Sequence, residues 1–546
     1  MSGWNYADVW ETVAEIVPDA TAVIQGDRRL TWSEFDARAN GVARALLDAG
    51  ASHQDKVAQY LYNCPEYLES FFAACKAGLV PVNTNYRYMD DELVYLWDNA
   101  DAVAVVFHGA FADRIDHLRD RVPGVKTWLW VDDGSGRCPD WATPYEDAAA
   151  TTSAPTAGPW GRSGDDLLLL YTGGTTGMPK GVMWGQHEHF LATSAANTPA
   201  WNDGEPGAET VRAVVTGPGL VSLPGCPLMH GTGLFTQLIN LSTGGAAVLA
   251  SGRHFDVAEF LDVIQQESVN IAVIVGDAFS KPILKALDAQ PDRWDLSSLI
   301  VMVSSGVMWS EPVKKRLLSH HGSMMLIDAY GSSEAVGMGQ SVSAAGGQGE
   351  TARFTLGERA RVIGEDGTDV TPGSGERGRV AVKGYVPRGY YKDEEKTAET
   401  FLEIDGDRFV LPGDWATVEE DGTLTLLGRG SVCINTGGEK VFPEEVEEIL
   451  KTHATVDDAV VVGDADDDCV IGVPDDRFGE SITAVVQAHP GETTDEDQLI
   501  DHVKATLAHY KAPKRIVPID TIGRAPNAKV DYKRLRAYAV DQLGLD

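Results

Sequence analysis

Between Tyr171 and Gly181 the chain reads Tyr-Thr-Gly-Gly-Thr-Thr-Gly-Met-Pro-Lys-Gly, entered from the apolar run Leu167 to Leu170. Residues of these types suit a phosphate. Gly173, Gly174, Gly177 and Gly181 permit positive φ and let backbone N–H groups approach an anion. Thr172, Thr175 and Thr176 add hydroxyl donors, and Lys180 adds a point charge. The order is not that of a Walker A loop, because no Gly-Lys-Ser/Thr follows at the required spacing. A second stretch, Asp328-Ala329-Tyr330-Gly331-Ser332-Ser333-Glu334, combines an aromatic face for a base, a tight glycine, hydroxyls for a phosphate and a carboxylate for a divalent metal. His187-Glu188-His189 has metal-ligand residue types but no third ligand at sensible spacing, so it reads as structural.

These residues need a scaffold of alternating helices and strands. Thr31-Trp32-Ser33-Glu34 reads as a capping box opening a helix through Leu47, with Gly50 as its stop, and Val57 to Leu61 and Val103 to Phe107 read as strands. Ala148 to Asp166, rich in Ala, Thr, Ser, Pro and Gly, reads as a linker or surface loop. Beyond the glycine loop, Val257 to Glu267 and Pro282 to Ala289 have helical periodicity, and Ile271 to Val275 and Leu299 to Val303 read as buried strands. From Gly357 the composition shifts to Gly, Pro and β-like alternation, as in Gly378 to Lys383 and Thr423 to Leu427. After Gly428-Arg429-Gly430 a compact α/β unit follows, with helices Pro443 to Lys451 and Glu496 to Leu507 and strands Ala459 to Val462 and Ile482 to Gln487. The fold class expected is therefore mixed α/β. A large N-terminal domain, residues 1–428, holds two α/β subdomains and a β-rich subdomain, and a small mobile α/β domain spans 429–546.

A chain of 546 residues exceeds what one hydrophobic core serves, which agrees with several domains. Its net charge of −36 opposes nucleic acid and anionic membrane as partners, both of which need basic footprints. One segment reverses the sign: Lys511, Lys514, Arg515, Arg524, Lys529, Lys533, Arg534 and Arg536 face only Asp520 and Asp531, a cationic island suited to a small polyanion. Cys64, Cys75, Cys138, Cys226, Cys433 and Cys469 show neither zinc-like nor disulfide-scaffold grouping, which fits a reducing compartment. The N-terminus lacks a signal-peptide pattern, and no stretch approaches the ~18 apolar residues of a membrane span. A cytoplasmic location without integral membrane association is expected.

The order of residues 171–181 resembles the phosphate loop of the adenylate-forming superfamily, which comprises acyl-CoA synthetases, peptide-synthetase adenylation domains and luciferases. Asp328 to Glu334 resembles that superfamily's second core motif. By this resemblance Tyr330 would stack on adenine, Asp328 would approach its amino group, with Ala329, Gly331 and Ser332 beside them, Ser333 would meet the α-phosphate, and Glu334 with Thr172 would hold Mg²⁺. Ser305 and Gly306 resemble the edge of the adenine pocket. Pro412-Gly413-Asp414-Trp415 resembles the motif whose aspartate accepts from the ribose hydroxyls; two acceptor oxygens suit a vicinal diol. Leu427-Gly428-Arg429, with Gly437, Gly438, Glu439 and Lys440, resembles the hinge and the loop that helps form the pantetheine tunnel, the hinge lying near 430–431. Lys529, in Pro526-Asn527-Ala528-Lys529, stands where the family carries a catalytic lysine. The resemblance extends from about Thr31 to Lys533. The wording of 428–440, with Asp277-Ala278 and Gly331 to Glu334, is most similar to actinobacterial fatty-acid and steroid side-chain acyl-CoA synthetases.

The resemblance implies ATP, Mg²⁺ and coenzyme A as cofactors and a small carboxylic acid as substrate, converted through acyl-AMP to acyl-CoA, with a homodimer allowed. Such chemistry needs positioning and charge neutralisation more than reactive side chains, so Lys529, Glu334, Thr172 and Lys180 are the expected catalytic set. The acyl pocket is assigned to His230, Gly231, Thr232, Gly276, Asp277 and Ser304, several of them small, which leaves room for a long or bulky acid. Two departures stand out: Ser431 replaces the usual charged hinge residue, and an acidic insertion occupies 464–470. Asp277 keeps an amino-acid or aryl-acid adenylating enzyme as an alternative, and a nucleotide-binding protein that has lost catalysis is another.

Overall fold

The computed structural model describes residues 3–172, 178–194, 198–307, 309–345, 353–429, 434–436, 439–441, 443–462, 473–475, 479–507, 509–524 and 530–544, of which 429, 434–436, 439, 440, 445, 473–475, 479–481, 510 and 533 are described by backbone alone. The chain divides into two compact units. One is Met1–Gly174 with Met178–Thr351 and Val382–Val410; the other is Thr175–Gly177 with Ala352–Ala381 and Leu411–Asp546.

The first unit carries two sheets. One runs in the order Arg28–Thr31, Thr21–Gln25, Ala246–Leu249, Val221–Pro224, Ile271–Ile274, Val301–Ser305, Met325–Tyr330, Gly339–Ser343. Its inner pairs are parallel, and an antiparallel partner flanks each end. Parallel neighbours require crossovers, which the helices Val257–Gln266, Gly276–Ala289 and Glu311–His320 supply. The strands are short apolar runs because helices cover the sheet, as in the almost wholly buried Ile271–Ile274. The second sheet runs Gly389–Tyr390, Lys180–Gly185, Leu167–Thr172, Val80–Asn83, Lys56–Tyr60, Ala102–His108, Thr127–Val131, Thr143–Pro144.

Local signals place most of these elements. Helix Trp32–Asp48 starts at the expected capping box, in which Thr31 Oγ1 accepts from Glu34 N and Glu34 accepts from Thr31 N. One reading needed revision. The helix expected to open at Pro282 begins six residues earlier, at Gly276, and carries Pro282 inside it. Burial of Phe279, Ile283 and Leu284 offsets the hydrogen bond that the proline removes. The stretch 148–166 is mostly surface loop, as expected, and it is stapled down within one unit. Trp160 Nε1 donates to Ala77 O, and the buried Asp166 accepts from Ser163 N and Gln54 Nε2 and pairs with His53.

In the second unit Thr423–Arg429 lies antiparallel between Arg353–Leu356 and Asp414–Val418. A separate three-stranded sheet, Val456–Val462, Thr483–Ala488 and Arg515–Ile519, follows. Its period-two alternation builds two cores. Ala459, Val461, Ala484 and Val486 pack with Val446, Leu450, Leu499 and Val503 of helices Pro443–Lys451 and Glu496–Thr506. On the other face Val460, Val462 and Val485 pack with Leu535 and Ala539 of helix Tyr532–Leu543. Among the described residues no helix is long and apolar enough to cross a membrane.

Candidate active site

The strands on either side of the phosphate-type loop form an antiparallel hairpin. Strands Leu167–Thr172 and Lys180–Gly185 pair antiparallel from Leu167↔Gly185 to Thr172↔Lys180, so Thr172 and Lys180 face each other across its last rung. Gly173, Gly174, Thr175, Thr176 and Gly177 lie outside the described residues. Gly181 is a strand residue opposite Tyr171, and its lack of a side chain has a packing reason: a Cβ there would stand 2.8 Å from the Tyr171 ring. The approach strand is anchored by Asn83. Its Oδ1 accepts from Tyr171 N at 2.6 Å, and its Nδ2 donates to Tyr171 O at 2.9 Å and to Met229 O at 2.7 Å. One buried amide thus ties the hairpin to the segment that ends at His230.

Lys180 and Glu334 are each held by a residue of the segment after Gly389. Lys180 Nζ lies 2.7 Å from Asp393 Oδ2 and 5.9 Å from the centre of the Tyr390 ring. The ammonium holds the Asp393 carboxyl below the usual carboxylate range. Tyr390 Oη donates to Glu334 Oε1 at 3.0 Å. Trp184, buried in the hairpin's second strand, donates Nε1 to Ser333 O at 2.9 Å. The turn carrying Ser333 and Glu334 is closed by Ser332 N donating to Ala335 O, with Ser332 Oγ accepting from Ala335 N. Glycine at 389 is required twice over: φ is +139°, and a Cβ would meet Thr397 Cγ2 at 2.5 Å.

Asp328 lies on strand Met325–Tyr330, in parallel register with Ser304, while Ala329 faces Ser305. Asp328 Oδ2 accepts from Lys314 Nζ at 3.0 Å, and both side chains are almost wholly buried. Burial pushes the Asp328 carboxyl above its ordinary range, against the pull of Lys314. Asp277 supports this pair indirectly. Its Oδ1 accepts from Ser310 N at 3.0 Å, immediately before the helix that carries Lys314, and its Oδ2 is 3.9 Å from Lys281 Nζ. Ser304 is buried and accepts from Gly276 N at 2.8 Å, joining the strand end to the helix start. Gly306 has φ +91°, and a Cβ there would lie 3.7 Å from Thr232 Oγ1. Residues 230–232, 276–277 and 304–306 are therefore neighbours, with partly exposed His230 just before helix Gly231–Ser242. Tyr330 ends the strand at its rung with Gly339, and Gly331 follows it.

His189 is structural, as expected. Its Nδ1 is 2.7 Å from Tyr6 Oη, its ring packs against Phe235 and Trp184, and burial pushes the imidazole down to about 3.

In the second unit Asp414, buried, faces Arg429 across the ladder Asp414–Val418 and Thr423–Arg429. Gly428 has φ +122°, and a Cβ would collide with the Glu444 carboxylate. Glu439 and Lys440 lie in strand Glu439–Val441. Gly437, Gly438, Ser431, the insertion 464–470 and Lys529 fall outside the described residues.

Asn83, Trp184, Lys314, Tyr390 and Asp393 escaped the sequence reading. The last two had a signal: Gly389-Tyr390-Tyr391-Lys392-Asp393 precedes a short helix that Asp393 caps.

The family model described as AMP-binding enzyme matches residues 10–391, and that described as AMP-binding enzyme C-terminal domain matches 467–529. A medium/long-chain-fatty-acid–CoA/3-oxocholest-4-en-26-oate–CoA ligase of Mycobacterium tuberculosis is 41% identical over 534 residues, 97% of this chain and 95% of the relative. A 3-oxocholest-4-en-26-oate–CoA ligase of Rhodococcus rhodochrous is 38% identical over 562 residues, 99% and 96% of the two chains. Among solved structures, ATP-bound MatB from Rhodopseudomonas palustris superposes with a TM-score of 0.79 at 26% identity, covering 98% of this chain and 99% of that one. The hairpin and the braced Ser333–Glu334 turn both fall within the matched span, and the chain belongs to the AMP-binding enzyme family, within the adenylate-forming superfamily.

Proposed function

We propose that this protein activates a carboxylic acid with ATP and transfers the acyl group to coenzyme A. The observation that carries the reading is the 41% identity to a fatty-acid and steroid-acid CoA ligase across 97% of the chain, in a fold that braces this chain's Ser333–Glu334 turn beside its phosphate-type hairpin. It is an AMP-forming acid–thiol ligase. The substrate carboxylate attacks the α-phosphate of ATP, giving acyl-AMP and pyrophosphate, and the CoA thiol then displaces AMP to give the thioester.

The chain's residues act mainly by holding charge in place. Lys180 and the loop 172–177 grip the β- and γ-phosphates. Asp328 and Tyr330 hold adenine, with Ser305 and Gly306 at the pocket edge, and Asp414 accepts from the ribose hydroxyls. Lys529 sets its cation against the attacking carboxylate and the α-phosphate, offsetting charge that builds in the transition state. Glu334, partly exposed, and Thr172 offer hard oxygen donors of the kind Mg²⁺ takes, so these two would hold the ion, which screens phosphate charge. Arg429 and residues 437–440 belong to the second half-reaction. A domain boundary at 428–429, with a hinge at 430–431, lets residues 429–546 serve both steps. The acid is a medium or long-chain fatty acid or a steroid side-chain carboxylate, admitted by small residues at 231, 232, 276 and 306. Asp277 is engaged by Ser310 N and Lys281, which disfavours a role in holding a substrate ammonium. The reaction takes place in the cytoplasm.

ATP–pyrophosphate exchange across acetate, octanoate, palmitate, a steroid acid and an amino acid tests the reading. Exchange is expected with palmitate or the steroid acid; preference for acetate or the amino acid would overturn the substrate class, and no exchange with any acid would overturn the activity. Lys529→Ala is expected to abolish exchange while sparing thioester formation from supplied acyl-AMP.

A further inference from the structure

The only anionic side chain within ion-pair distance of Lys180 among the described residues is Asp393, and that carboxylate is fixed by contacts that do not involve the lysine. Asp393 Oδ1 accepts from Lys396 N at 2.9 Å as the N-cap of helix Glu394–Thr400. The preceding residue, Lys392, is held in the left-handed region at φ +56°. Tyr391 Oη and Lys392 Nζ both donate to Asp101 at 2.8 Å, and Tyr391 N donates to Gly181 O at 2.8 Å. The carboxylate is thus rigidly placed, whereas the lysine ends a flexible four-carbon stem. Lys180 and Asp393 are 37% and 30% exposed, so their pairing is weak and readily exchanged.

We propose that Asp393 is a positioning residue that holds the Lys180 ammonium in the free enzyme, so that ATP binding exchanges one anionic partner of this lysine for another. The proposal rests on the assignment of Lys180 to the phosphates of ATP. It makes Asp393 a setting on ATP affinity: the enzyme gives up part of its attraction for the nucleotide and keeps the lysine parked beside the hairpin until a stronger polyanion arrives.

Asp393→Asn tests this in the full chain, because asparagine keeps the helix cap while removing the charge. Equilibrium binding of MgATP without acid, and the ATP KM and kcat of pyrophosphate exchange, are the readouts. Tighter binding and a lower KM by roughly 1.5- to 5-fold are expected, matching what an exposed ion pair contributes. A merely structural defect would raise both. The same substitution in a Lys180→Met background separates parking from plain repulsion between Asp393 and phosphate. The gain should vanish there; a gain that persists overturns the proposal, as does unchanged or weaker binding by Asp393→Asn when the parent binds ATP. A parent that binds no ATP would instead defeat the nucleotide assignment, and this inference with it.

Discussion

Two lysines of the first unit show how one residue type serves opposite ends. Lys76 is wholly buried, 2.6 Å from Glu11 and 2.7 Å from Asp36, with its ammonium 4.3 Å from the centre of the Phe72 ring. Arg162 binds the same Glu11, so helix Tyr6–Ile16, helix Trp32–Asp48 and helix Pro65–Ala77 are locked by shared charges. Among the described residues Lys180 has a single carboxylate partner, and it is over a third exposed. Charges that share buried partners cannot be removed without stranding the others, whereas a lone half-exposed pair can be traded for a ligand. The first arrangement holds the fold and the second leaves a cation available.

The largest effects should come from substituting each lysine by methionine. Lys76→Met takes the ammonium from part-buried Asp36 and leaves Glu11 to Arg162, and should cost about 3 kcal/mol of stability, read as a lower melting temperature. Lys180→Met should leave the melting temperature unchanged and slow pyrophosphate exchange by roughly 10²- to 10³-fold. If the two variants shift the same observable, the contrast between structural and functional lysine is broken.

Tyr390→Phe sharpens the same contrast at the carboxylate. It keeps the buried ring beside Lys180 and removes only the donation to Glu334, worth about 1 kcal/mol for a part-exposed charged acceptor. A roughly fivefold rise in the Mg²⁺ concentration for half-maximal exchange is expected. No change would mean that the Ser332–Ala335 turn and Trp184 suffice to place Glu334.

The smallest effect is in pH. Burial pushes His108 down to about 4 and His189 to about 3, so both imidazoles stay neutral in the folded chain. The unfolded chain protonates them near 6.5, so it binds more protons in acid. Their contribution is whole above about pH 6.5 and is lost as pH falls toward 4, at up to about 1.4 kcal/mol per unit and imidazole. Melting temperature should fall over that window, and His189→Gln should flatten the slope. An unchanged slope would show that another buried group governs acid unfolding.

Much of this was legible in the residues. The capping box at Thr31, the apolar run 167–170 and the strand stretches 459–462 and 482–487 each act within a few residues of sequence, and each gave an element where expected, to within a few residues. The helix at Gly276 was misjudged because Pro282 is a local stop signal that tertiary burial overrode. The segment 148–166 was legible as a surface loop from its composition, but the contacts that pin it, Ala77, His53 and Gln54, are remote in sequence and were not.

The amino-acid order by itself determined which residues could bear chemistry: a glycine–threonine loop with Lys180, and a hydroxyl-rich turn with Glu334. Backbone conformation and charge are properties of short stretches, and short stretches can be read. Only the tertiary structure decided what holds those residues. Asn83, Trp184, Lys314, Tyr390 and Asp393 reach them across 14 to 213 positions of chain. A hydrogen bond or ion pair of 2.6–3.0 Å depends on where separate strands end, which no local pattern encodes.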